Sequence, residues 1–180
     1  MTRFYTGTGD AGYSIMLGKK VYKGSEIIEA IGAIDELNSF IGLALLSIDD
    51  DKVAKQLEAA QENLFIAGAE LAACINSRFA PKRKLGRPAV RALEEAIEDL
   101  ASRLPGLKNF VLPRGSEASS YLHVARAIAR RTERCVVKII PKYKNSINTL
   151  PYLNRLSSYL FVAALYMNKK EGVEEANPHY

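Results

Sequence analysis

The sequence predicts an all-α protein, a five-helix bundle that follows an irregular Gly-rich N-terminal segment. From about residue 26 onward, apolar residues recur every three or four positions, which is the period of one helix face. The strand-like fragment at residues 110–113 is too short to found a sheet. We therefore expect a single domain over residues 1–180, with an N-terminal loop at 1–25 and the bundle at 26–170.

Two long apolar stripes predict the first two helices. The stripes cover residues 27–48 and 53–74, and the acidic run at 49–51 between them suits the start of a helix, where the helix dipole favours negative charge. Helix one is apolar on more than one side, and such a helix has a second partner, so the sequence predicts an oligomer. The residues outside its main stripe are Ile28, Phe40, Leu43 and Leu45.

The remaining three helices are predicted by stripes and by their first residues. Pro88 suits the first turn of helix three. Ser116 can cap helix four through its hydroxyl. A polar loop at residues 141–149 precedes helix five, which we expect to begin near Pro151. Residues 171–180 are predicted to form a flexible tail.

The composition is that of a globular domain with a mild basic excess. Apolar residues make up 48% and charged residues 25% of the chain, and the net charge of +5 suggests an acidic ligand. Cys74 and Cys135 lie on apolar stripes and are predicted to be buried thiols. No signal-like segment opens the chain, and the strongly apolar run at 159–167 is too short to cross a bilayer, so we expect a cytoplasmic protein.

The most informative stretch is residues 122–134, on predicted helix four. At about 100° per residue, Arg126, Arg130 and Glu133 fall in a strip roughly 60° wide, with His123 beside it. The apolar stripe of this helix lies about 100° away, so the arginines flank the core. Because the planar arginine fork binds carboxylate or phosphate oxygens bidentately, the strip predicts an anion site, for instance for a polyphosphate.

A run rich in glycine and threonine occupies residues 5–14. Its glycines let successive backbone N–H groups turn toward one anion, and three lysines follow it at positions 19, 20 and 23. The run lacks the G-x-x-x-x-G-K-[ST] pattern of a P-loop, and no strand precedes it as in a dinucleotide-binding fingerprint. Taken alone, such a run is more typical of an ordinary loop.

Three polar residues on the predicted helices are further candidates. Asp35 adjoins the apolar stripe of helix one, so it is either a half-buried carboxylate paired with an arginine of helix four or part of an exposed face. His123 has no partner for a metal cluster; we predict a packing role for it and no metal site. Asn154 is expected to open helix five, where it meets a phosphate or a base edge, or caps the helix.

Taken together, these pieces resemble the PduO-type ATP:cob(I)alamin adenosyltransferases. Five segments carry the resemblance, in order and at family-like spacing, over most of the chain. They are Thr-Gly-Thr-Gly-Asp-Ala-Gly at 6–12, Asp-Glu-Leu-Asn-Ser-Phe-Ile-Gly at 35–42, Phe-Val-Leu-Pro at 110–113, Leu-His-Val-Ala-Arg-Ala-Ile-Ala-Arg-Arg-Thr-Glu-Arg at 122–134, and Tyr-Leu-Asn-Arg-Leu-Ser at 152–157.

The resemblance implies a homotrimer of five-helix bundles with active sites between subunits. The implied reaction moves the 5′-deoxyadenosyl group of ATP to Co(I) of cob(I)alamin, which forms adenosylcobalamin and releases triphosphate. Mg²⁺ is expected with the triphosphate. A reductase or an adenosylcobalamin-dependent acceptor enzyme is the implied protein partner, and we expect neither a nucleic-acid nor a membrane partner.

The resemblance also implies residue roles. Arg126 would pair with Asp35 across the subunit boundary, and Phe110 would lie under the corrin and help to hold cobalt without its lower ligand. The protein would then orient two substrates and stabilise the leaving triphosphate. The implied ATP-binding residues are Thr6, Gly7, Thr8, Gly9, Ser14, Ile15, Lys23, Arg130, Arg131, Glu133, Arg134 and Asn154.

Three positions depart from the family pattern and keep alternatives open. Gly7 stands where Arg or Lys is usual, Arg114 replaces the first glycine of a Gly-Gly pair, and Ser158 replaces a common Asp. The first two departures leave room for a binding module that delivers ATP or corrinoid without catalysis. A basic helical nucleic-acid binder is a weaker alternative, because the arginines flank a core stripe.

Overall fold

The computed structural model describes residues 4–107, 109–141 and 148–179. Within these ranges the chain forms five helices and one two-stranded sheet, which confirms the predicted all-α bundle. The helices are α1 (Glu26–Leu45), α2 (Asp51–Ala73), α3 (Arg87–Ala101), α4 (Glu117–Ile139) and α5 (Thr149–Lys170). Most of the polar loop predicted at 141–149 lies outside the described residues.

A short β-hairpin occupies part of the N-terminal segment for which the sequence predicts no regular structure. Strands β1 (Tyr13–Met16) and β2 (Lys19–Tyr22) pair antiparallel. The two turn residues, Leu17 and Gly18, both have positive φ, as the tightest hairpin turns require. The Asn76 side chain, just beyond α2, donates a hydrogen bond to the Leu17 carbonyl (3.0 Å) and so ties the hairpin turn to the bundle.

The ends of the helices follow the local chemistry of the sequence, and only the start of α5 differs from its predicted position. The Ser116 hydroxyl accepts a hydrogen bond from the Ser119 N–H (3.2 Å), which confirms the predicted cap of α4. Asp50 caps α2 by accepting from two N–H groups of its first turn. Helix α5 begins at Thr149, two residues before Pro151, so this proline lies within the first turn, where it needs no N–H partner.

Helix α4 lies at the centre of the bundle, packed against α1 on one side and α5 on the other. Burial of a leucine-sized side chain contributes about 1.5–3 kcal/mol, and small residues let the helices approach closely. The buried Thr132 hydroxyl donates to the Ala33 carbonyl (2.9 Å) and joins α4 to α1. The stripe predicted for α4 is buried throughout, at Leu122, Ala125, Ala129, Val136 and Ile139.

A buried carboxylate fixes the start of α5. Glu70 on α2 accepts hydrogen bonds from the Leu85 N–H (3.1 Å) and the Thr149 hydroxyl (2.8 Å). The Asn148 side chain in turn donates to the Leu85 carbonyl (2.7 Å). These bonds hold the linker between α2 and α3 against the first turn of α5. They therefore set the position of the α5 residues that follow.

The C-terminal residues fold back over the end of the bundle. The Leu112 N–H donates to the Ala176 carbonyl (2.7 Å). Asn168 is fully buried, accepts from the Ser116 N–H (2.9 Å) and donates to the Arg114 carbonyl (3.2 Å).

The flexibility of residues 171–180 and the single-domain division stay predictions. No helix in the described part of the chain is long and apolar enough to span a membrane.

Candidate active site

A cavity of about 1000 Å³ opens between α4, α5, the segment that precedes α4 and the C-terminal tail. Phe110, with 80% of its surface exposed, stands on its wall. Helix α4 contributes His123, Arg126 and Arg130, and α5 contributes Phe161 among others. The cavity thus combines aromatic surface with two arginines that lie one helical turn apart.

Arg126 is a half-buried cation on the cavity wall. Its guanidinium carbon lies 5.9 Å from the centre of the Phe161 ring. Its Nε is buried and has no hydrogen-bond partner among the described residues. Burial, and secondarily the charge of Arg130, lower the pKa of Arg126. A partly buried cation is stable only when an anion compensates its charge, and the described residues do not supply that anion.

Asp35, the partner expected for Arg126, lies in the middle of α1 and is exposed. Of the two alternatives left open for Asp35, the single chain therefore shows the exposed face and not the half-buried carboxylate. The Asp35 backbone carbonyl accepts a hydrogen bond from the Ser39 hydroxyl (2.9 Å). No ion pair among the described residues joins Asp35 to Arg126, and pairing across a subunit boundary stays a prediction.

The other arginines of α4 have different surroundings. Arg131 forms an ion pair with Glu36 of α1, and this hydrogen bond raises the pKa of Arg131. Arg134 donates to the Arg130 backbone carbonyl (3.0 Å). Arg130 itself is exposed, and it enters no ion pair among the described residues. Of these three arginines, only Arg130 lines the cavity.

Glu133 and Asn154 connect the arginine strip to α5. The Asn154 side-chain amide donates a hydrogen bond to Glu133 Oε1 (3.0 Å). Because α5 begins at Thr149, Asn154 lies in its second turn, and the prediction that Asn154 opens the helix is wrong. The adjacent Arg155 pairs with Glu94 of α3 (3.0 Å), which anchors this part of α5 on its other side.

The N-terminal loop brings two threonine hydroxyls together and lets a lysine approach its glycines. The Thr6 and Thr8 hydroxyl oxygens lie 2.8 Å apart in a hydrogen bond. Gly7 has φ of +72°, a left-handed backbone that a larger residue adopts only with strain. A Cβ at Gly9 would lie 2.9 Å from Lys23 Nζ, so the glycine lets the ammonium group approach the loop closely.

The predicted ATP-binding residues fall into two groups in a single chain. Ser14 is half-buried and Ile15 is 65% exposed on β1, close in sequence to the loop just described. The second group lies on α4 and α5. Within the described ranges, no residue of the N-terminal segment lines the cavity. One chain therefore does not bring the two groups into one cavity.

His123 has more unusual surroundings than its predicted packing role requires. Only 3% of its surface is exposed, its ring centre lies 6.1 Å from that of Phe161, and it lines the cavity. Neither ring nitrogen has a hydrogen-bond partner among the described residues. Burial, and secondarily the charge of Arg126, lower the pKa of His123 to about 4. In the described chain no group of three potential metal ligands occurs.

The fold and the site together define a class: a helical bundle in which arginines border a cavity suited to a large ligand with both apolar and anionic parts. A family model described as cobalamin adenosyltransferase matches residues 4–167. The chain belongs to this cobalamin adenosyltransferase family, in its PduO-type group.

Individual relatives agree with this assignment. The chain is 39% identical to the corrinoid adenosyltransferase of Bacillus subtilis strain 168, over 95% of this chain and 89% of the relative. It is 38% identical to the human corrinoid adenosyltransferase MMAB, over 96% and 72% of the respective chains. A solved PduO-type ATP:corrinoid adenosyltransferase variant from Lactobacillus reuteri, complexed with cobalamin and ATP, has a TM-score of 0.91, with 35% identity over 99% of this chain and 100% of that one.

Proposed function

We propose that this corrinoid adenosyltransferase binds the corrinoid in the cavity between α4 and α5, and binds ATP where the N-terminal loop of one subunit meets α4 of the next. The protein transfers the 5′-deoxyadenosyl group of ATP to the Co(I) centre of cob(I)alamin. The electron pair of Co(I) forms the bond to C5′ while the C5′–O bond breaks and its electrons leave with triphosphate. Adenosylcobalamin and triphosphate are the products.

The proposed position of the site rests on Arg126 and Arg130. They stand one turn apart on the cavity wall, and neither has an anionic partner among the described residues. The triphosphate of ATP would supply an anion for Arg130, and the flat corrin ring would supply an apolar face for Phe110 and Phe161. The geometry thus fits two substrates held side by side.

Stabilisation of the leaving triphosphate is assigned to cations and amides from both sides. Lys23 and the backbone of the N-terminal loop would contact the phosphates from one subunit, and Arg130 and Arg134 from the other. Charge-assisted hydrogen bonds of this kind contribute about 1.5–3 kcal/mol each. Because the cobalt of the substrate is itself the nucleophile, the protein acts by positioning and by electrostatic stabilisation.

Phe110 is assigned to the lower face of the corrin. Its ring is 80% exposed on the cavity wall, where a large apolar surface normally needs a partner. A phenyl ring under the cobalt excludes water and offers no lone pair for coordination. Loss of the lower ligand would make reduction of the cobalt to Co(I) easier.

A homotrimer completes the proposed site. In that assembly, Asp35 of one subunit neutralises Arg126 of the next, which supplies the anion that Arg126 lacks. Partly exposed apolar side chains on α1 and α4 support an interface on these helices, among them Leu43 (39% exposed), Val124 (42%) and Val137 (47%). Such residues are expected at a contact between subunits.

Magnesium, protein partners and location complete the proposal. We assign Mg²⁺ to the triphosphate oxygens and water, because Mg²⁺ keeps several waters and is commonly held through substrate phosphates. A reductase that delivers electrons to the corrinoid, an acceptor enzyme for the product and a cytoplasmic location all stay predictions.

An anaerobic assay tests the proposed function. The protein is mixed with cob(II)alamin, a strong reductant, ATP and Mg²⁺, and adenosylcobalamin is followed by its absorbance and its sensitivity to light. We expect one triphosphate released for each adenosylcobalamin formed. Tight binding of both substrates with no product would instead indicate a delivery module and would contradict the proposal.

A further inference from the structure

His123 is a buried polar side chain whose nitrogens no described residue satisfies. An unsatisfied buried polar group costs about 1–3 kcal/mol, and folded proteins contain few of them. A phenylalanine or leucine would pack against Phe161 without this cost. The position of His123 on the cavity wall indicates that a group of the bound ligand satisfies it.

The protonation state of His123 limits the chemistry of that group. With its pKa near 4, the ring is neutral at physiological pH. A neutral imidazole has one N–H donor and one nitrogen acceptor. Anions in the cavity have Arg130 to bind, and the Arg126 guanidinium beside the ring disfavours a cation. The matching ligand group is therefore neutral and carries both a donor and an acceptor, as a primary carboxamide does.

The position of His123 along α4 favours the corrinoid over the triphosphate. His123 precedes Arg130 by seven residues, which corresponds to about 10 Å along the helix axis. A phosphate bound at Arg130 is therefore distant from the imidazole. Corrin rings, in contrast, carry carboxamide side chains around their edge. Phe161, which packs against His123, and Phe110 line the same cavity.

We propose that His123 is a specificity-determining residue that forms a hydrogen bond with a carboxamide on the edge of the bound corrinoid. This inference rests on the proposed function and extends it from the cobalt to the periphery of the substrate. A rotation of the ring when the corrinoid enters presents one nitrogen to the ligand. His123 selects among corrinoids by their side chains and takes no part in breaking the C5′–O bond.

Two variants of His123 separate hydrogen bonding from packing. His123→Phe keeps an aromatic ring against Phe161 and removes both nitrogens, whereas His123→Gln keeps one donor and one acceptor. Calorimetric titration with cob(II)alamin in the presence of ATP should show affinity weakened roughly 3- to 10-fold in His123→Phe. The glutamine variant should retain more of the affinity, and the dissociation constant for ATP should stay within about twofold in both.

Cobalamin derivatives in which one propionamide side chain is hydrolysed to a carboxylate can show which carboxamide His123 recognises. One such derivative should bind wild-type protein more weakly than cob(II)alamin does, and His123→Phe should bind that derivative and the parent equally well. This loss of discrimination is the non-additive result expected for two groups in direct contact. Equal discrimination by both proteins for every derivative would overturn the inference.

The remaining outcomes distinguish this inference from the proposed function. If wild-type protein and His123→Phe bind cob(II)alamin equally, His123 only fills space and the inference fails while the proposed function stands. If His123→Phe weakens ATP binding instead, His123 faces the nucleotide and the inference also fails. If wild-type protein binds no corrinoid at all, the proposed function itself fails.

Discussion

Glu133 on α4 accepts a hydrogen bond from the Asn154 side chain on α5 at 3.0 Å. The bond places a carboxylate in the arginine strip and holds the second turn of α5 against α4. Glu133 would otherwise be free to turn toward Arg130 or Arg134 and compete with phosphate for them. The pair thus keeps an acidic group oriented within a site that is built for anions.

Changes at this pair should affect ATP more than the fold. Asn154→Ala frees the Glu133 carboxylate to turn toward Arg130 and Arg134. Because Asn154 is exposed, the melting temperature should change little, while KM for ATP rises roughly 3- to 10-fold. The double variant Glu133→Gln with Asn154→Asp restores a hydrogen bond with donor and acceptor exchanged. Steady-state kinetics at varied ATP would contradict the role of the pair if Asn154→Ala had the KM of wild type.

Arg130→Ala removes an exposed guanidinium that lines the cavity and forms no ion pair among the described residues. We expect kcat/KM for ATP to fall about 10- to 100-fold, because one charge-assisted phosphate contact is lost. Arg91→Ala, on the exposed face of α3, is the matched control and should keep wild-type kinetics. Equal activity of the two variants in the adenosylcobalamin assay would place the triphosphate elsewhere.

Gly9→Ala tests the approach of Lys23 to the N-terminal loop. The new methyl group would lie 2.9 Å from Lys23 Nζ, and the flexible lysine can move aside, so stability should change by less than about 1 kcal/mol. The displaced ammonium group should raise KM for ATP several-fold. Gly106→Ala, where no atom lies within 4 Å of the added carbon, is the control. A normal KM in Gly9→Ala would show that ATP binding does not need the close approach of Lys23 to the loop.

The low pKa of His123 predicts a pH-dependent stability. The pKa is about 4 in the folded protein and near its ordinary value of 6.5 when unfolded, so between these values the unfolded chain binds more protons. Stability contributed by the neutral ring is complete above about pH 6.5 and is lost as the pH falls toward 4. The loss reaches about 3 kcal/mol. The free energy of unfolding, measured with urea at several pH values and compared with its value at pH 7, should show this loss in wild type. The His123→Gln variant should not show it.

The helices follow from the sequence because their information is local. Stripe spacing and the Ser116 cap predict α4 well, and the start of α5 is shifted by only two residues. The hairpin is not predicted, because its two strands have four residues each and only part of their side chains is buried. Glu70 is likewise missed, since its partners Leu85 and Thr149 are 15 and 79 residues away along the chain.

The candidate site is predicted in its residue types more than in its geometry. The arginine strip is visible because several cations recur on one face of a helix beside an apolar stripe. The sequence does not predict that the His123 nitrogens lack hydrogen-bond partners, because the neighbours of the ring, such as Phe161, come from another helix, α5. The choice between the two alternatives for Asp35 also needs the structure, since a position next to an apolar stripe does not reveal on which side neighbouring helices lie.

No residue of the described N-terminal segment lines the cavity, and this separation has a genetic consequence. If each site combines the loop of one subunit with α4 of the next, two variants impaired on opposite sides of the site can complement each other. Lys23→Ala and Arg130→Ala subunits, unfolded together and reassembled at equal amounts, should regain activity at about a quarter of their interfaces, those where both contributing faces are wild type. Mixed assemblies that stay inactive would show that each chain builds its site alone.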